Sequence, residues 1–280
     1  MLAYRHLFHA GGYADVFKHA LLTGLLLSLR KKDKPFFYLD THAGIGRYDL
    51  NHPWADKNRE FEHGIGRLWQ RKDIPASLAD YMQLLRTDNP DGKLRYYPGS
   101  PRIARHWLRP GDRMVLSELN RDDCAALSKL FAADRSVHVH CMDAYHGLKV
   151  FLPPSERRGL VLIDSSFDRA KEFPRIAEAL SIAHKRWATG TYGIWYPLME
   201  PSAMIAFDRA IIATGISKIL KLDFALEAED WTLTMRGCGM LVVNPPWKFD
   251  QDAAAMLHWL WPALSSKGSG GSRVSWLVPE

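Results

Sequence analysis

A run of apolar residues near the start of the chain ends in an acid and is followed by two closely spaced glycines. The segment Phe36–Tyr48 reads Phe-Phe-Tyr-Leu-Asp-Thr-His-Ala-Gly-Ile-Gly-Arg-Tyr. This pattern predicts a buried strand that stops at Asp40 and continues into a tight loop containing Gly44 and Gly46. Such a loop after the first strand of a doubly wound α/β domain lets the backbone approach a ligand. Two glycines after a strand also occur in ordinary strand-to-helix turns. The rest of the chain must therefore distinguish a ligand-binding loop from such a turn.

Three later apolar runs also end close to an acid. They are Arg113–Ser117 before Glu118, Ser136–Cys141 before Asp143, and Gly159–Ile163 before Asp164. The carboxyl ends of parallel strands meet at one edge of a sheet, which is the edge where such folds bind ligands. We therefore expect the acids to surround one site.

Composition limits the class of protein. A chain of 280 residues with 47% hydrophobic content can bury one large core. The net charge of +6 favours an anionic partner, although a basic enzyme that touches no nucleic acid fits it equally well. The three cysteines have no paired spacing, so neither a disulfide framework nor a metal site is expected.

The apolar stretch Leu21–Leu29 is too short for a membrane span, and we expect a cytoplasmic protein without a membrane segment.

Strand and helix patterns alternate along most of the chain and predict a single domain, residues 1–280. Strand patterns are absent from 50–97, where apolar residues recur at helical spacing, so we predict a helical insertion over the ligand edge. The main fold is expected to resume with a helix in which Ser100 caps the end before Pro101. Two late strands, Lys218–Ala225 and Met240–Asn244, predict an antiparallel hairpin.

A seven-stranded α/β sheet with such a hairpin resembles the class I S-adenosylmethionine-dependent methyltransferase fold, which is Rossmann-like. The glycine loop lacks the third glycine of a dinucleotide site and the Lys-Ser/Thr of a P-loop. In the methyltransferase fold the Gly44 loop would approach the methionine part of S-adenosylmethionine. Glu118 suits the ribose hydroxyls, because a carboxylate accepts hydrogen bonds from a diol. Asp143 has two interpretations, an acceptor for the adenine amine and a helix N-cap.

Asp164 begins the sequence Asp-Ser-Ser-Phe, at the position where amino-methylating relatives of this fold carry Asp/Asn-Pro-Pro-aromatic. An adenine amine is a poor nucleophile because its lone pair is delocalised into the ring. Hydrogen bonds from the amine to Asp164 and the Ser165 carbonyl would localise that pair, and Phe167 would stack on the base. Ser165 and Ser166 replace two prolines, so we expect a more mobile loop and slower transfer. Asn244-Pro-Pro-Trp247 matches this tetrapeptide better, but it follows a late strand, and we predict that it is not the catalytic motif.

Several motifs together resemble the RlmJ family of 23S rRNA adenine-N6 methyltransferases over essentially the full length. They are Tyr4-Arg-His-Leu-Phe-His-Ala-Gly-Gly-Tyr-Ala-Asp-Val-Phe-Lys-His19, Asp40-Thr-His-Ala-Gly-x-Gly-Arg-Tyr48, Tyr96-Tyr-Pro-Gly-Ser-Pro101 and Gly190-Thr-Tyr-x-x-Trp-Tyr-Pro197. The resemblance implies cofactor contacts at His19, His42, Ser100, Glu118 and Asp143, with Asp164 as the catalytic acid. It also implies that Tyr4, His6 and Lys18 handle the target adenosine. The family pattern at the catalytic loop is Asp-Pro-Pro-Tyr, of which this chain keeps the acid and an aromatic residue.

Together with the site residues, the resemblance implies methylation of an adenine N6 in 23S rRNA, with S-adenosylmethionine as methyl donor and no metal. The target base must be unpaired or flipped, because an amine engaged in a duplex is inaccessible, and an incompletely assembled rRNA satisfies this. A DNA adenine methyltransferase is the alternative enzyme. A catalytically impaired protein that binds cofactor or nucleic acid, linked to the use of external DNA, is the alternative from another class.

Overall fold

The computed structural model describes residues 5–167, 172–227, 235–265 and 269–280. One eight-stranded sheet forms the centre of this part of the chain, and a two-stranded sheet lies apart from it. The strands are β1 (Phe37–Asp40), β2 (Arg47–Asp49), β3 (Tyr96–Pro98), β4 (Arg113–Ser117), β5 (Val137–His140), β6 (Gly159–Ile163), β7 (Thr191–Leu198), β8 (Ile219–Ala225), β9 (Gly237–Val243) and β10 (Gly271–Val278). A short 3-10 helix, His6–Phe8, precedes the first α-helix.

The α-helices are α1 (Tyr13–Arg30), α2 (Pro53–Asn58), α3 (Glu60–His63), α4 (Ile65–Trp69), α5 (Ala76–Thr87), α6 (Ser100–Trp107), α7 (Arg121–Leu130), α8 (Ala144–Phe151), α9 (Glu172–Arg186), α10 (Pro201–Ile212) and α11 (Phe249–Leu264). No helix in the described ranges combines the length and the apolar character that crossing a membrane requires.

The strand order across the large sheet is β10-β8-β9-β7-β6-β1-β4-β5. Strands β5, β4, β1, β6 and β7 run parallel, and β9 is antiparallel to both β7 and β8. The predicted hairpin of β8 and β9 is therefore confirmed. The predicted count of seven strands is wrong, because β10 adds an eighth strand by pairing antiparallel with β8.

The sheet separates two apolar cores, and alternate residues of β1 serve them. Tyr38 packs in the first core with helices α1, α5, α6 and α11, for example through Phe17. Phe37 and Leu39 point the other way, into a core completed by α8, α9 and α10. Because a strand's side chains alternate between faces, this short apolar strand can serve both layers.

The segment that lacks strand patterns contains helices α2 to α5, and β2 and β3 pair antiparallel at its two ends. Helix α5 packs against α1 and α11. The expected cap of the next helix is wrong, because α6 begins at Ser100 itself and Gly99 occupies the N-cap position. Ser100 is a helical residue, and its hydroxyl forms a hydrogen bond with Asp40.

Candidate active site

A cavity of about 410 Å³ lies at the carboxyl ends of the parallel strands, which we call the binding edge. It is lined by every predicted site residue in the described part of the chain: His6, Lys18, His19, His42, Gly44, Ser100, Glu118, Asp143, Asp164 and Phe167. Tyr4 lies outside the described residues. The cavity size falls in the roughly 300–1,000 Å³ range of small-molecule sites. The strand ends therefore converge on one site, as the sequence predicted.

Glu118 is held by two backbone amides. Its Oε2 accepts a hydrogen bond of 2.8 Å from the Gly44 amide, and its Oε1 accepts one of 2.8 Å from the Asn120 amide. Burial raises the pKa of Glu118, although these two amides oppose the rise. Gly44 has a φ of +59°, and a Cβ there would lie 2.4 Å from the Tyr48 hydroxyl. The loop thus requires glycine at this position and presents a fixed carboxylate with lone pairs left for a diol.

Asp143 is the N-cap of α8. Its Oδ1 accepts hydrogen bonds from the amides of Tyr145 and His146, at 3.0 and 3.1 Å. Its Oδ2 lies 3.9 Å from a guanidinium nitrogen of Arg175. The capping interpretation is therefore observed, and it uses one oxygen while leaving the side chain at the cavity wall.

Asp40 lies beneath the glycine loop and is fully buried. Burial raises its pKa to about 6, against hydrogen bonds from Ser100 and Tyr38 that favour the ionised form. The Tyr38 hydroxyl donates to Asp40 Oδ2 at 2.9 Å, and the His42 amide donates to Oδ1 at 3.3 Å. The Asp40 carboxylate at the end of β1 therefore holds the start of the glycine loop, and Ser100 of α6 donates a hydrogen bond to the same carboxylate.

Asp15 joins the residues that the resemblance assigned to the target, and sequence reasoning missed it. Its carboxylate lies 2.9 Å from His6 Nε2 and 2.9 Å from Lys18 Nζ. Burial alone would raise the pKa of Asp15, but the adjacent His6 and the charge of Lys18 hold it well below the usual range. The spacing of Asp15, Lys18 and His19 places all three on one face of α1, a signal that was available in the sequence.

The two predicted cofactor histidines have different surroundings. His19 is fully buried, and its Nδ1 is 2.8 Å from the Tyr97 hydroxyl, which lies 2.9 Å from that of Tyr81. Burial lowers the pKa of His19 to about 3, so the ring is neutral at pH 7. Burial also lowers the pKa of His42, whose ring meets the edge of Tyr145 at 6.0 Å. His19 therefore supports the wall through a tyrosine chain, and His42 faces the α8 side.

Asp164 lies at the end of β6, the strand that pairs with β1. Lys18 Nζ is 2.5 Å from its Oδ2, so Lys18 contacts both Asp164 and Asp15. Phe167 has a φ of +52°, a left-handed conformation that is rare for a residue with a side chain. Its ring packs 4.8 Å from Phe173 and 5.9 Å from Trp195 between centroids.

Glu172, which no sequence pattern indicated, lies behind this loop. Ser165 Oγ donates a hydrogen bond of 2.7 Å to Glu172 Oε1, and the Tyr145 hydroxyl donates to the same oxygen. Arg175 Nη1 lies 3.2 Å from the other oxygen. Glu172 and Arg175 line the cavity but belong to α9. The sequence analysis considered residues at strand ends, so it did not identify these two.

The second tetrapeptide, Asn244 to Trp247, follows β9. Since β9 is antiparallel to β7, and Val243 pairs with Tyr192 near the start of β7, the segment lies at the edge opposite the binding edge. The side-chain Nδ2 of Asn244 donates 2.8 Å hydrogen bonds to the carbonyls of Ala188 and Gly190. Neither Asn244 nor Trp247 lines the cavity. Asn244 thus closes a turn.

The sheet order, the glycine loop and the carboxylates at the binding edge define a class I S-adenosylmethionine-dependent methyltransferase. The donor set fits the cofactor, because the cavity offers a backbone-fixed carboxylate for a diol beside a glycine-permitted backbone approach. A family model described as "Ribosomal RNA large subunit methyltransferase D, RlmJ" matches residues 33–278. The chain belongs to the RlmJ family.

Relatives match over the whole length. The protein is 43% identical over 280 residues to "Ribosomal RNA large subunit methyltransferase J" of Escherichia coli strain K12, covering 100% of both chains. It is 42% identical to the protein of the same name from Haemophilus influenzae strain Rd, again over 100% of both chains. The solved structure of protein LPL1258 from Legionella pneumophila superposes with a TM-score of 0.89 at 35% identity, covering 96% of this chain and 98% of that one.

Proposed function

We propose that this methyltransferase transfers a methyl group to N6 of an adenine in unpaired or incompletely assembled 23S rRNA. Its family membership and the names of its relatives support a large-subunit rRNA substrate. One observation supports an amino group as the methyl acceptor: Asp164 and Phe167 line the same cavity as Glu118. An rRNA substrate also assigns the activity to the cytoplasm.

The order of strands divides the proposed site into two halves. Along the sheet, β5, β4 and β1 present Asp143, Glu118 and Gly44, whereas β6 on the other side of β1 presents Asp164. We assign the first half, with His42, Ser100 and His19 around it, to S-adenosylmethionine. We assign the second half, with His6, Lys18 and Phe167, to the target adenosine, and Tyr4 is expected to join it. The division follows the rule that ligands bind where strand order reverses, here at β1.

The chemistry asks the protein to orient an amine and to hold a proton acceptor beside it. S-adenosylmethionine supplies an activated methyl group when bound. The carboxylate of Asp164 and the carbonyl of Ser165 accept hydrogen bonds from the N6 amine, which directs its lone pair out of the ring system. Phe167 stacks against the base, and its fixed packing on Phe173 and Trp195 holds the ring. The N6 nitrogen would take the methyl group as the methyl–sulfur bond breaks, the demethylated donor would leave, and the surplus N6 proton would pass to the Asp164 carboxylate and on to solvent.

Single-turnover methylation of an rRNA fragment containing the target adenosine tests this assignment. Asp164→Ala should abolish transfer and leave cofactor binding largely intact, because Asp164 lies on the target half. Asn244→Ala is the matched control, since it alters the other tetrapeptide at the opposite edge and should lower stability only. Loss of turnover in a folded Asn244→Ala protein with an active Asp164→Ala protein would contradict the assignment. Transfer to DNA and not to rRNA would favour a DNA adenine methyltransferase, and cofactor binding without transfer would favour a binding protein.

A further inference from the structure

The loop after β6 lacks prolines but has a buried anchor. Ser165 is 6% exposed and Glu172 is 4% exposed, and the Ser165 hydroxyl donates to Glu172 Oε1 at 2.7 Å. A hydrogen bond from a hydroxyl to a buried carboxylate is stronger than one between neutral groups. The first serine of the tetrapeptide is therefore tied to α9 instead of being restrained by a ring.

The same carboxylate also contacts α8, which packs against α9. The Tyr145 hydroxyl donates to Glu172 Oε1, and Tyr145 belongs to the first turn of α8, whose N-cap is Asp143. Arg175 contacts Glu172 Oε2 at 3.2 Å and covers the Tyr145 ring at 4.6 Å from its centroid. Glu172 thus receives donors from the loop of the target half and from the helix of the cofactor half.

We propose that Glu172 is a positioning residue, which fixes the Ser165 backbone against the target amine through the Ser165 hydroxyl and couples this loop to α8 through Tyr145. The rate effect of this inference rests on the proposed function. In that function the Ser165 carbonyl accepts a hydrogen bond from the N6 amine, so its position affects transfer directly. Misplacement by about 1 Å can lower a rate on the order of a hundredfold. The anchor replaces the stiffness that two prolines would provide.

Ser165→Ala is the primary test, because it removes one hydroxyl and leaves the backbone and Glu172 in place. We expect the single-turnover rate to fall about tenfold, the factor that corresponds to about 1.4 kcal/mol. The cofactor dissociation constant should stay within about twofold. Glu172→Gln keeps one accepting oxygen without the charge and should give a rate between those of wild type and Ser165→Ala. The control is Ser155→Ala, since Ser155 donates to Glu156 at 3.2 Å in an exposed turn before β6, at the opposite edge.

A second measurement does not depend on activity. Amide hydrogen exchange of the peptide containing Asp164 to Phe167 should be faster in Ser165→Ala and Glu172→Gln than in wild type, and unchanged in Ser155→Ala. If wild type transfers no methyl group but its loop exchanges faster in both variants, the anchor stands and the proposed function fails. If exchange and single-turnover rate both stay within about twofold of wild type in Ser165→Ala and Glu172→Gln, the positioning role is overturned.

Discussion

The ammonium group of Lys18 lies 2.5 Å from Asp164 Oδ2, which joins α1 to the loop after β6. The same group is 2.9 Å from Asp15 Oδ1, and the Lys18 side chain is only 5% exposed. One buried cation thus bridges two carboxylates from distant parts of the chain. The position of Asp164 therefore depends on an element that precedes the sheet.

Lys18→Met should remove methyl transfer while leaving S-adenosylmethionine affinity nearly unchanged. The substitution leaves Asp15 and Asp164 without their shared cation, and breaking a buried ion pair costs about 3–5 kcal/mol. We expect a single-turnover rate at least about a hundredfold lower, because Asp164 loses its fixed position. Calorimetry with the cofactor and single-turnover kinetics separate the two effects.

Lys221→Met is the matched control for Lys18. Lys221 is 7% exposed and contacts Asp208 at 2.6 Å, but it lies on β8 outside the cavity lining. Its loss should lower the free energy of unfolding without changing the rate per folded molecule. Equal rates in the two variants would show that the Lys18 contact is only structural.

Glu118→Ala should weaken S-adenosylmethionine binding about tenfold to a hundredfold. A hydrogen bond to a charged group contributes roughly 1.5–3 kcal/mol, and the variant removes the acceptor assigned to the ribose hydroxyls. Isothermal titration calorimetry measures the change. Glu156→Ala removes a partly buried carboxylate bound to Arg113 at 2.8 Å on the opposite edge, and it should leave affinity unchanged. Unchanged affinity in Glu118→Ala would contradict the assigned role.

Asp40 should make the folded state less stable as pH rises from about 4 to about 6. Burial raises the pKa of Asp40 to about 6 in the folded state, so the folded protein binds more protons than the unfolded chain across this interval. The shift of about two units corresponds to at most about 3 kcal/mol. Asp40→Asn should therefore raise the free energy of unfolding at pH 7, and the gain should vanish near pH 4.

Chemical denaturation at several pH values checks the Asp40 prediction. Asp49→Asn should change the pH dependence of stability in the opposite direction, because the hydrogen bond to Arg95 lowers the pKa of Asp49. That contribution is present above the unfolded pKa and is lost as the pH falls through the folded pKa. A pH profile of Asp40→Asn parallel to that of wild type would show that Asp40 is not the responsible group.

Replacing Ser165 and Ser166 by proline should slow methyl transfer, contrary to the sequence-based expectation that prolines would speed it. Glu172 would lose the Ser165 hydroxyl, and the loop would lose its hydrogen bond to α9, although Tyr145 and Arg175 still contact the carboxylate. Single-turnover time courses of the double variant and wild type decide between the two expectations. A folded double-proline protein that binds cofactor normally and transfers faster would restore the view that loop mobility limits the rate.

The sequence predicted the parallel strands, the hairpin and the cavity acids, because apolar runs ending in acids are local patterns that parallel pairing brings together. It indicated a last strand at Val274–Val278 but counted seven strands in the sheet instead of eight, and it placed Ser100 instead of Gly99 at the N-cap of α6. Both errors concern contacts with other parts of the chain, which local patterns do not show. Asp15 was recoverable from its spacing to Lys18. Glu172 was not, because its role arises only when α9 folds behind the loop of β6.

The terminal strand β10 has a practical consequence for immobilisation. It runs antiparallel to β8, and the Lys218 amide donates a 3.1 Å hydrogen bond to the Pro279 carbonyl, so the strand finishes at the edge away from the cavity. His6, by contrast, lines the cavity close to the start of the chain. A surface tether or fluorescent label attached after Glu280 therefore lies at the opposite edge and leaves the cavity open to a bulky polynucleotide.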